Sequence, residues 1–163
     1  MKTFIHSGTQ EIEFSRLLDF AIMNACNQSG SMVVYQGYVA AEKARVDMPK
    51  NIQFLHFMKK SDFEKTISDA DIVVCHGGTG AIFNSISLGH RPYVLPRLAK
   101  FGEHNDDHQL ELCELLLERN LVSELPNYDC LVSTRNLEVS RAARKFFDGG
   151  LIPLLLEEIE EVV

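Results

Sequence analysis

Two stretches of this chain concentrate groups able to do chemistry: HGGTG at residues 76–80 and KFGEHNDDHQLE at residues 100–111. In the first, glycine lets the backbone take positive φ and come close to a ligand. A helix that starts there offers unpaired N–H groups and partial positive charge, an arrangement suited to phosphate. Thr79 adds a hydroxyl, and His76 adds a ring N–H or a charge. A tight strand–helix turn that needs glycine only for packing would read the same. The second stretch holds Glu103, His104, Asp106, Asp107, His108 and Gln109. Of these types, Asp, Asn and Gln side chains can pair with sugar hydroxyls. The same residues also allow simple N-capping by Asp106 or Asp107, or a metal at His104, Asp106 and His108, although the spacing is no recognised ligand pattern.

The surrounding sequence must position these groups. Apolar runs at 2–6, 32–35, 52–57, 71–75, 92–96 and 122–125 read as strands. Helical periodicity marks 14–28, 61–70, 82–88 and 107–119, and Ser61 with Glu64 has the capping-box pattern. Further helices are expected from Thr134 to Phe147 and over 151–163. Alternating strands and helices imply a single α/β domain over 1–163: a Rossmann-like, mainly parallel sheet with helices on both faces. Ligands bind such sheets at the carboxyl ends of strands where the chain order reverses. Two glycine turns fall at such ends, Ser7–Gly8–Thr9 and 76–80.

Composition narrows the function. The net charge is −7 and no basic run is present, which argues against a nucleic-acid surface or direct docking on anionic lipid. No apolar run approaches the roughly 18–20 residues of a membrane span. The opening MKTFIHSGTQ lacks the apolar segment of a signal peptide, so a cytoplasmic protein is expected. Cys26, Cys75, Cys113 and Cys130 are scattered, which disfavours zinc or a disulfide framework. A dinucleotide fingerprint counted from Gly78 and Gly80 needs glycine at 83, where the chain has Phe83. The Walker pattern is absent too.

The runs HGGTGAIFNSISLGHRPYVLPR and KFGEHNDDHQLELCELL resemble the carboxy-terminal, donor-binding half of the GT-B glycosyltransferases of family 28. The GEHxxDHQ segment is the most specific piece, and FIHSGTQEIEF looks like the family's start. The likeness is nearest to stand-alone catalytic subunits: those of bacterial capsular or exopolysaccharide β-1,4-galactosyltransferases, and the soluble subunit of the dolichol-linked N-acetylglucosamine transferase.

That resemblance implies an inverting transfer of galactose or N-acetylglucosamine from a UDP-sugar to a lipid-linked acceptor, with no cofactor and no bound metal. Gly8, Thr9, Gly77, Gly78, Thr79, Gly80, Asn84, Glu103, Asp107, His108 and Gln109 would contact the donor, and His76 and His104 would take part in the chemistry. It further implies a membrane-associated partner subunit that binds the acceptor and recruits this chain to the inner face of the membrane. A non-catalytic, UDP-sugar-binding accessory subunit is the alternative. Two departures stand out. Many relatives have glutamate where this chain has Asn84, and histidine where it has Gln10. The stretch LIPLLLEEIEEVV carries an apolar stripe, Leu151, Leu155, Ile159 and Val162 or Val163, which can meet a partner or the chain's own sheet. Its acidic end, Glu157 to Glu161, opposes the helix dipole.

Overall fold

A computed structural model describes residues 1–28, 30–40 and 48–125. The expected helices beyond residue 125, and Cys130, lie outside these.

The apolar runs form six strands: β1 Lys2–His6, β2 Met32–Gln36, β3 Ile52–Leu55, β4 Ile72–His76, β5 Tyr93–Leu95 and β6 Ser123–Glu124. They make one sheet in the order β3-β2-β1-β4-β5-β6, and every pairing is parallel. Among the described residues four α-helices connect strands: α1 Ser15–Asn27, α2 Lys60–Ser68, α3 Thr79–Ser87 and α4 His108–Glu118. The fold is Rossmann-like, as expected.

The alternation of side chains decides which helix covers which face. Ile5, Val33, Tyr35, Val74 and Tyr93 point one way, into a core closed by Phe14, Leu17, Leu18 and Ala21 of α1 and the loop before it. Phe4, Val34 and Val73 point the other way, against Ile67 of α2. On that same face Cys75 and Val94 pack under Ile82 and Ile86 of α3 and Leu116 of α4. Both faces are covered, which is why β2 and β4 read as nearly unbroken apolar runs.

One local expectation is corrected. Ser61 does not cap α2: the helix begins at Lys60, Lys59 is its N-cap, and no side-chain cap bond forms. Glu64 instead lies 3.8 Å from Lys60, one turn back. Four consecutive polar residues, Lys59 to Asp62, precede Phe63, so pattern alone leaves the start of the helix ambiguous.

Candidate functional site

The chain leaves β1 for β2 on one side and reaches β4 on the other, so the order reverses between β1 and β4. His6 pairs with Cys75 there, which sets the two glycine turns side by side at the carboxyl edge. This is the crevice in which open α/β sheets bind ligands.

The glycines divide into two kinds. Gly8 has φ +85°, and a Cβ there would fall 2.7 Å from the His76 ring. A Cβ at Gly78 would also overlap that ring, and one at Gly77 would meet Cys113 Sγ at 2.7 Å and the Cβ of Gln109 at 2.9 Å. These three are glycine because the protein itself needs the room. The imidazole of His76 is packed between two turns, and α4 lies against a third residue. Gly80 differs: nothing lies within 4 Å of the position its Cβ would take. It is the second residue of α3, beside the exposed hydroxyl of Thr79. The N-terminus of α3, whose first N–H groups have no partner within the helix, therefore opens on unfilled space.

His76 is held at a pKa of about 4, by burial first and by the Arg97 guanidinium second. At neutral pH it is uncharged, so of the two expected contributions, ring N–H or charge, the structure leaves the neutral ring. His6 lies below it, ring centroids 6.1 Å apart and nearly perpendicular. Burial and the neighbouring His76 keep His6 well below its ordinary value too.

The second stretch starts with a short 3-10 turn, Ala99–Phe101, closed by Gly102 at φ +68°. The carboxylate of Glu103 is buried and already occupied. It accepts from Arg16 Nε at 2.9 Å and from the Leu98 N–H at 3.1 Å. Asp107 is the N-cap of α4 by position, but its carboxylate accepts from the Ala99 N–H at 2.8 Å. Asp106 accepts from the His108 N–H at 3.2 Å, with His104 Nδ1 at 3.0 Å. Among the described residues no group of three or more His, Cys, Asp or Glu is arranged to hold a metal ion. Gln109 accepts from the Arg97 N–H at 3.1 Å. Thr9, Asn84 and His108 are exposed, and His104 is partly so. The acids of this loop thus fasten it to itself and to α1, while His108 is exposed and His104 partly so.

Sequence reading missed Arg97. Its guanidinium is fully buried and bonds the carbonyls of Ser7, Ile12 and Glu103 at 2.9–3.1 Å. A single arginine after a strand carries no signal by itself, because its role depends on three loops meeting.

Residues 4–134 match the glycosyltransferase family 28 C-terminal domain. Comparison with curated proteins gave no match. Among solved structures the chain is similar to the glycosyltransferase SnogD from Streptomyces nogalater, at 12% identity and a TM-score of 0.63, covering 91% of this chain and 39% of that one. It is similar to the glycotransferase of kitacinnamycin at 15% identity and TM-score 0.60, over 96% and 42%. The Acinetobacter baumannii MurG matches at 17% identity and TM-score 0.51, over 91% and 41%. The chain spans about two fifths of the length of these structures.

Proposed function

The chain belongs to the family of the glycosyltransferase family 28 C-terminal domain, and from that premise we propose that it binds the UDP-sugar donor of a two-component inverting glycosyltransferase. Its sheet is one half of a GT-B fold. The observation that carries the reading is the open N-terminus of α3 at the strand-order reversal, where Gly80 faces unfilled space. Leaving-group charge builds on the UDP diphosphate during transfer. Preorganised N–H donors at a helix N-terminus stabilise it without reorganising. Thr79 adds a hydroxyl to that cradle. Gly8 and Thr9 border it from β1, and Asn84 lies further along α3 for the ribose. Neutral His76 serves as a hydrogen-bonding group rather than a cation. His104, His108 and Gln109 meet the donor sugar.

The sugar we propose is galactose, with N-acetylglucosamine second. The acceptor is lipid-linked and belongs to capsular or exopolysaccharide synthesis. It is bound by a membrane-associated partner, which brings this chain to the inner membrane face. No helix among the described residues is long and apolar enough to cross a membrane.

A second reading is a UDP-sugar-binding accessory subunit without turnover, and Asn84 favours it. An exposed amide holds a ribose diol more weakly than a carboxylate. Reconstitution separates the two. If the subunit is catalytic, Thr79→Ala in this chain lowers turnover by the complex. If turnover is untouched while donor binding here is lost, the accessory reading stands.

A further inference from the structure

Arg97 is 0% exposed, and every hydrogen bond from its guanidinium goes to a neutral carbonyl. Nη2 donates to Ser7 at the end of β1, and Nη1 to Ile12 in the β1–α1 loop and to Glu103 in the β5–α4 loop. The guanidinium carbon stands 4.8 Å over the Phe14 ring. A buried cation costs several kcal/mol unless charge opposes it, and such groups are ordinarily paired with a carboxylate. The carboxylate at hand, Glu103, is engaged by a second arginine, Arg16, through both oxygens. Only Arg16 hydrogen-bonds that carboxylate, which acts on Arg97 through space alone. An unmatched positive charge remains directly under the Ser7–Gly8 turn.

We infer that Arg97 is a positioning residue of the donor site: it pins three carboxyl-edge loops and keeps a positive charge beneath the place where the diphosphate binds. The inference rests on the donor-site reading above. A fixed cation under the Ser7–Gly8 turn favours the charged part of the donor and leaves its neutral nucleoside unaffected. That difference separates an electrostatic role from plain structural support, which would weaken both ligands alike.

The test uses UDP and uridine as probes, with Arg97→Gln and Arg97→Lys. Arg97→Gln is expected to lower the UDP-to-uridine affinity ratio about tenfold, or 1.4 kcal/mol. Arg97→Lys keeps the charge and is expected to keep the ratio within about threefold. Equal loss of both ligands in Arg97→Gln, or an unchanged ratio, overturns the inference. Where Arg97→Gln fails to fold, Arg97→Lys alone decides: a preserved ratio supports the charge and a collapsed ratio overturns it. A ligand-free readout runs alongside. The imidazole of His76 is faced by Arg97, His6 and His104. Its titration by NMR stays low in Arg97→Lys and moves up in Arg97→Gln; no movement in Arg97→Gln contradicts the inference. Failure of the wild-type chain to bind UDP is a different result, since it removes the donor site itself and this inference with it.

Discussion

Replacing Gly80 by alanine separates a glycine kept for a ligand from one kept for the fold. The added Cβ meets no heavy atom within 4 Å, and Gly80 has no positive φ to lose. Alanine is the better helix former, by about 1 kcal/mol in a helix interior and less in a first turn. Part of the gain comes from the unfolded chain. Gly80→Ala is therefore expected to stabilise the protein by about 0.5 kcal/mol, a rise in Tm of roughly 1–2 °C for a chain this size. The same methyl occupies the approach to the first N–H groups of α3. Losing one charge-assisted hydrogen bond from a phosphate oxygen costs about 1.5–3 kcal/mol. UDP affinity should then fall roughly ten- to hundredfold. Gly78→Ala behaves oppositely in stability, because its Cβ overlaps the His76 ring; overpacking of this kind costs about 1–3 kcal/mol. Thermal melts and calorimetric titration of both variants form the assay. Gly80→Ala that melts no lower than wild type and binds UDP as tightly would refute the reasoning, since the open space beside α3 would then hold no phosphate.

Three further outcomes are expected. Thr79→Ala removes an exposed hydroxyl, so it should leave urea stability within about 0.5 kcal/mol while weakening UDP binding in the same titration. Glu103→Ala strands Arg16 and the Leu98 N–H, and urea unfolding should show a loss of about 3 kcal/mol, as for other broken buried pairs. Stability should also fall in acid. His76 in the fold titrates near 4 and His6 lies well below its usual value, whereas histidine in the unfolded chain takes up a proton near 6.5. Their contribution is present above about pH 6.5 and is lost as pH drops toward 4, by up to about 1.4 kcal/mol per pH unit for each ring. Urea melts at pH 7, 6 and 5 check this, and His76→Gln should flatten the slope.

Much of the fold was legible because the pattern that makes it is local. Unbroken apolar runs such as IVVC and VVY are what strands covered on both faces require, and the strands fell within a residue or two of their expected ends. The site was legible only in outline. HGGTG identified the turn but not the reason for each glycine. Gly77 answers to Cys113 and Gln109, and Gly8 and Gly78 answer to His76; these distances are set by tertiary packing. Glu103 was expected at the donor from the family resemblance, and its carboxylate lies against Arg16, a partner 87 residues away in sequence. Arg97 was invisible for the same reason.

The central claim is that this crevice binds a uridine diphosphate sugar. The most direct test is calorimetric titration of the chain with UDP, UDP-galactose, UDP-N-acetylglucosamine and NAD, repeated with the partner subunit present. The account predicts binding of UDP and of one UDP-sugar, with no binding of NAD. Binding of NAD, or no nucleotide bound under either condition, would contradict it.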